Sequence, residues 1–174
     1  MMRPCPGHMV AMDLQDSLLT FLRHFPRTDD TTLIILKGHL LLEEEINHLL
    51  HEMLANPAAL DGLQINFFIK TQFLRALIKN ETLDNILDAA EKLNRLRNRL
   101  AHNLEPSGVE AAIRDFVTGA DGRILGGEAA PDQLLKRRIA FLCGQLLRFR
   151  TEYRAARQML KTRVGTVKTK TKRS

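Results

Sequence analysis

The stretch Leu83–His102, LDNILDAAEKLNRLRNRLAH, decides the fold. Its apolar residues recur at spacings of three and four, which is the period of an amphipathic helix. The Asn80-Glu81-Thr82 segment before it is typical of a helix N-terminus, and Glu105-Pro106 ends the pattern. We therefore expect a helix from about residue 80 to about residue 104, with one buried stripe: Leu83, Ile86, Leu87, Ala90, Leu93, Leu96 and Leu100.

Arg97 falls inside this apolar stripe. A permanently charged side chain in a core-facing position needs a partner, because burying an unpaired charge is costly. The partner is a buried carboxylate, a second subunit or a phosphate. His39 and Glu43 lie on or beside the apolar face of an earlier predicted helix, so Glu43 is the candidate carboxylate.

The composition favours an all-α protein. The chain has 174 residues, no Trp and one Tyr, and it is rich in Leu, Ala, Glu, Lys and Arg, which are helix formers. We predict an up-and-down bundle of about five to six helices with a long C-terminal helix and a disordered basic tail. The domain organisation we expect is a disordered leader at 1–12, one helical domain at 13–162 and a basic tail at 163–174.

The other predicted helices follow from periodicity and from Pro and Gly breaks. They run over about Asp13–Phe25, Asp30–Ala55, Leu63–Lys79 and Ser107–Val117, and the last begins at Pro131. That last helix carries a continuous apolar seam over about eight turns. The helix over 63–79 should bury some combination of Phe67, Phe68, Phe73 and Leu77.

Several classes of protein are disfavoured. The two cysteines have no metal-ligand spacing and fit a reducing cytosol, and no segment is apolar enough to span a bilayer. We expect a cytoplasmic protein without cofactor, metal or membrane partner. His48 and His51 have a spacing that would suit a metal, but no third ligand is in reach, so we interpret them as exposed polar surface.

Positive charge is concentrated at the C-terminus. Residues 1–130 carry 13 basic and 18 acidic side chains, whereas residues 131–174 carry 13 basic and 2 acidic ones. Such asymmetry indicates either an acidic partner such as nucleic acid or packing of the basic helix against acidic helices of the same chain. For the tail we favour nucleic acid, with these candidate contacts: Lys161, Arg163, Lys168, Lys170, Lys172 and Arg173.

The segment Arg97-Asn98-Arg99-Leu100-Ala101-His102, an Arg, a polar residue and a His after four intervening positions, resembles the signature of the HEPN superfamily of small helical bundles. The layout is also similar, with Gly38–Glu43 on a long earlier helix and a Phe- and Lys-bearing helix before the motif. The pattern is reminiscent of the mannitol operon repressor subgroup. The resemblance covers roughly 30–117 and leaves the long basic helix unexplained.

The resemblance implies one of two functions. Catalytic members imply metal-independent RNA cleavage across a homodimer, of the toxin or RNA-defence type. His102 would then be the general base or acid, Arg97 would hold the phosphate and Asn98 would position either group. The alternative is a non-catalytic regulatory or interaction module, in which Arg97 pairs with Glu43 and the basic tail contacts nucleic acid. An antitoxin or other protein partner is possible in either case.

Overall fold

The computed structural model describes the backbone of residues 15, 16, 18–60, 62–102, 108–118 and 129–170, and the side chains of these residues except 102 and 161–170. Within this part the chain is helical, with no strand. We label the helices α1 (18–24), α2 (Thr31–Met53), α3 (Phe67–Leu77), α4 (Glu81–His102), α5 (Val109–Thr118) and α6 (Pro131–Lys170). A short 3-10 helix at Pro57–Leu60 lies between α2 and α3. The prediction of an all-helical bundle with a long C-terminal helix is confirmed.

A polar side chain caps the N-terminus of each of three helices. Asp30 caps α2 through Oδ1, which accepts from the amides of Thr32 at 2.8 Å and Leu33 at 3.1 Å. Asn66 caps α3 and Asn80 caps α4, each accepting from the amide three residues on at 2.9 Å. These contacts satisfy amides that have no partner within their helix. The proposed Ser107 cap of α5 lies outside the described residues.

Helix α2 is the centre of the bundle and packs against α3, α4 and α6. At the α2–α6 crossing, Gly38 allows close approach, because the Ile139 side chain occupies the space that a Cβ would need. The stripe of α4 is buried from Leu83 to Leu96, and α6 is buried along its seam to Leu146. These faces form one core.

The arginines of α6 explain part of the charge asymmetry. Arg150 is 2% exposed, and its guanidinium lies 3.3 Å from Glu45 Oε2 and 3.6 Å from Glu52 Oε1. Arg154 also pairs with Glu52, and Arg157 donates to the Glu52 carbonyl oxygen at 2.5 Å. Burial raises the pKa of both Glu45 and Glu52, and Arg150 opposes this shift. This part of the basic helix therefore binds acidic groups of its own chain.

Helix α6 continues to Lys170, past the domain end that the sequence predicts near 162. The domain bounds themselves stay a prediction. Residues 161–170 contain no Pro that would stop the helix. At about 1.5 Å per residue the helix is roughly 60 Å long. The apolar residues near the end of this seam lie outside the core, since Met159 is 68% and Leu160 62% exposed.

Candidate functional site at the end of the motif helix

The motif lies at the C-terminal end of α4, where the buried stripe meets the surface. Leu93 and Leu96 are buried, whereas Arg97 and Asn98 are half-buried. Nη1 of Arg97 donates to Oδ1 of Asn98 at 2.9 Å. Asn98 therefore holds the guanidinium at the edge of the buried stripe, where it is partly exposed to solvent.

Arg97 does not pair with Glu43. The Glu43 carboxylate instead accepts from Nζ of Lys70 at 2.6 Å, and its other oxygen lies 3.8 Å from Nδ1 of His39. In the part of the chain that the structure describes, no carboxylate lies within ion-pair distance of Arg97. The internal Arg97–Glu43 pair, one of the alternatives that the sequence left open, is therefore not found, and Glu43 pairs instead with Lys70 of α3.

The linker after α2 is the reason for this arrangement. Residues 54–66 return the chain alongside the middle of α2, so that Phe67 contacts His39 and Lys70 contacts Glu43. Sequence reasoning noted a Lys-bearing third helix but did not assign Lys70 to the site. The available signal was a single Lys in the first turn and a half of a helix that is otherwise apolar there.

His39 is a buried polar residue next to Glu43 and Phe67. It is 3% exposed, its ring lies 4.8 Å from the Phe67 ring, and neither nitrogen makes a hydrogen bond of normal geometry with a described residue. The Asn94 side chain lies beside the ring, though outside that geometry. Burial lowers the pKa of His39, and the charge of Arg97 adds to the shift, whereas Glu43 opposes it. Neutral His39 is thus the favoured form near neutral pH.

His102 is the last residue of α4, and its side chain lies outside what the structure describes. Its backbone follows Arg97 by five residues, which is about 7.5 Å along the axis and about 140° around it. The structure thus brings Arg97 and Asn98 together and fixes the helical position of His102, but it gives no contact of the imidazole.

The predicted nucleic-acid contacts of the tail lie beyond the described side chains. Lys161, Arg163, Lys168 and Lys170 belong to the backbone of α6, and Lys172 and Arg173 lie outside the described residues. Their contacts stay a prediction.

Two other kinds of feature bear on the function of the described residues, a metal site and a membrane-spanning helix. No group of three or more His, Cys, Asp or Glu side chains that could hold a metal occurs among the described residues. His48 and His51 are exposed, as predicted, but Glu52, which the helical pattern places beside them on the solvent side, is turned toward α6. Of the helices described, none combines the length and apolar character needed to cross a membrane.

Comparisons with protein-family models, with curated proteins and with solved structures find no match to this chain. Chemically, the end of α4 presents an oriented cation that is half-exposed and has no carboxylate partner among the described residues. It lies five residues, about 1.4 turns, before a histidine. A cation so placed can bind an anion such as phosphate through a bidentate contact.

Proposed function

We propose that this protein is a metal-independent endoribonuclease of the HEPN type that acts as a homodimer. The observation that carries the proposal is the state of Arg97, which hydrogen-bonds to Asn98 and is not neutralised by Glu43. A guanidinium oriented by a neutral amide retains its charge for a phosphate.

The reaction needs a base, an acid and a cation. His102 takes the proton of the ribose 2′-hydroxyl, whose oxygen attacks the adjacent phosphorus. Arg97 stabilises the charge on the phosphorane, and Asn98 holds the guanidinium in place. The bond from phosphorus to the 5′ oxygen breaks, and His102 of the partner subunit protonates that oxygen. The products are a 2′,3′-cyclic phosphate and a 5′-hydroxyl.

The test compares two arginines of the same helix. Arg97→Ala should abolish cleavage of RNA in EDTA, whereas Arg95→Ala should cleave at the wild-type rate, because Arg95 is exposed and lies about 200° around the helix from Arg97. Equal rates for the two variants would overturn the proposal.

A second candidate function is a non-catalytic interaction module. One observation favours it: α3 exposes large apolar side chains, with Phe68 54%, Ile69 40%, Phe73 41% and Leu77 46% exposed. The sequence predicts that this helix buries some combination of Phe67, Phe68, Phe73 and Leu77, and of these four only Phe67 is buried. Exposed apolar surface of this kind is typical of protein-binding sites. On this alternative, the wild-type protein cuts no RNA and Arg97→Ala alters only partner binding.

A further inference from the structure

A cavity of about 140 Å³ lies between α1, α2 and α6. Its walls are mostly apolar, with Leu18 and Phe21 from α1, Leu41 from α2, and Cys143 and Leu147 from α6. An apolar cavity of similar size, about 150 Å³, can take up benzene. The space between the three helices is therefore large enough for one six-membered ring.

Two small residues of α6 leave this space open. Ala140 and Gly144 are four residues apart, so they lie on the same side of the helix, and both line the cavity. A Cβ placed on Gly144 would have no atom within 4 Å, apart from its own stretch of the helix backbone. A larger side chain at Gly144 would therefore enter the cavity without a clash at its first carbon.

Cys143 belongs to the apolar wall of the cavity. It is 4% exposed, and burial, with a smaller contribution from Glu45, raises the pKa of its thiol. The thiolate is the nucleophilic form of cysteine, so a buried thiol that keeps its proton at neutral pH is unreactive. Cys143 thus offers van der Waals contact to an occupant and no covalent chemistry.

Two carboxylates, those of Glu44 and Glu45, also line the cavity, whereas none of its described lining residues is basic. The Glu45 side chain is 13% exposed, and its Oε2 accepts no hydrogen bond within the part of the chain that the structure describes. Arg150 lies 3.3 Å from this oxygen, but the same guanidinium also faces Glu52 at 3.6 Å. Burial raises the pKa of Glu45 in spite of Arg150, so its negative charge is only partly compensated.

This lining determines which kind of occupant the cavity favours. A buried carboxylate oxygen without a hydrogen bond is costly, and a charged donor stabilises it more than a neutral donor does. An anion would be repelled by both glutamates. The walls therefore favour an apolar body, and the two carboxylates favour a positive charge at its end.

We infer that this cavity binds a small organic amine, with a benzene-sized apolar group between the three helices and an ammonium at Glu44 and Glu45. The occupant is a free amine, because the volume matches a ring, whereas a lysine side chain of a partner protein carries its ammonium on a thin alkyl chain. Arg97 does not line this cavity, so the inference is independent of the proposed nuclease chemistry.

The test measures binding of benzylamine to the full wild-type chain by titration calorimetry. We expect saturable binding and a rise in melting temperature with benzylamine concentration. Benzyl alcohol has the ring without the charge, and it should bind about tenfold more weakly, since its neutral hydroxyl makes a weaker hydrogen bond to a carboxylate. Benzoate should not bind. Butylamine has the charge without the ring, and it should bind about tenfold more weakly because it buries less apolar surface.

Two variants locate the site. Gly144→Leu should abolish binding, because the new side chain occupies the space of the ring. Ala155→Leu is the matched control, since Ala155 is exposed on the same helix and is not part of the lining, and it should bind like the wild type. Glu45→Gln should lower the affinity for benzylamine about tenfold and leave that for benzyl alcohol unchanged. The comparison of probes on the wild-type chain tests the charge even if Glu45→Gln does not fold.

Four results would overturn the inference: no binding of benzylamine, equal affinities for benzylamine and benzyl alcohol, equal affinities for benzylamine and butylamine, or unchanged binding by Gly144→Leu. Each of them can be obtained whether or not the protein cuts RNA, so failure of this inference is distinguishable from failure of the proposed function.

Discussion

Nζ of Lys70 lies 2.6 Å from Oε1 of Glu43, so the carboxylate that the sequence offers as a partner for Arg97 pairs with a lysine instead. The contact joins α3 to α2, whereas Arg97 belongs to α4. Because His39 lies 3.8 Å from Glu43 and close enough to Arg97 for its charge to lower the imidazole pKa, the four residues form one cluster.

Removing Lys70 should redirect Arg97 toward Glu43. We expect Lys70→Met to lower the free energy of unfolding by about 1–3 kcal/mol, since it removes a hydrogen bond between charged groups. It should also reduce RNA cleavage, which is measured on the same preparation. The double variant Lys70→Met with Glu43→Gln should regain cleavage, because no carboxylate then competes for Arg97. Loss of cleavage in both variants would contradict this role of Lys70.

Stability should depend on pH through His39. Its pKa is lowered in the folded state, so between 6.5 and the folded value the unfolded chain binds more protons. The contribution of His39 to the free energy of unfolding should therefore fall as pH drops below about 6.5 and level off below the folded pKa. Glu45 and Glu52, whose pKa burial raises, act in the opposite direction, but they are common to the wild type and to His39→Phe. Urea unfolding at neutral and mildly acidic pH should therefore show that the wild type loses stability relative to His39→Phe as the pH falls, whereas the difference between His48→Gln and the wild type should not follow this trend.

Substitution by alanine should change the stability of the fold in opposite directions at two glycines. Gly38→Ala should destabilise the fold by about 1–3 kcal/mol, because its methyl group would meet the Ile139 side chain. Gly144→Ala should stabilise it by about 1 kcal/mol, since alanine favours the helix and no atom lies within 4 Å of the new Cβ. Chemical denaturation measures both. Equal effects of the two substitutions would contradict the α2–α6 packing described above.

The buried ion pairs of Arg150 with Glu45 and Glu52, between α2 and α6, should stabilise the fold. Arg150→Met should lower the free energy of unfolding by about 3–5 kcal/mol, because Glu45 and Glu52 lose a buried partner. Arg148→Met is the matched control. Arg148 pairs with Glu152 on the exposed side of the same helix, and its substitution should leave thermal stability nearly unchanged.

The helices themselves could be predicted from the sequence, because periodicity, caps and Pro are local signals. The stripe from Leu83 to Leu96 is buried as its spacing indicates, and Pro131 begins α6. Arg97, Asn98 and His102 are candidates because their pattern resembles the HEPN signature, and their role as a site stays a prediction.

What could not be predicted is which helix covers which face. Periodicity places Arg97 and Glu43 on facing stripes, but it does not show that the linker returns Lys70 to Glu43. It assigns Glu52 to the solvent side, whereas Arg150 and Arg154 of α6, about a hundred residues away, cover that side. Such relations depend on tertiary packing, which a local pattern does not contain.

The most direct test of the nuclease account is the incubation of mixed RNA with wild-type protein and with His102→Ala in the presence of EDTA, resolved on a denaturing gel. We predict fragments ending in 2′,3′-cyclic phosphate for the wild type and intact RNA for the variant, with the same melting temperature for both. Intact RNA with the wild type, or equal cleavage by the two proteins, would contradict the account.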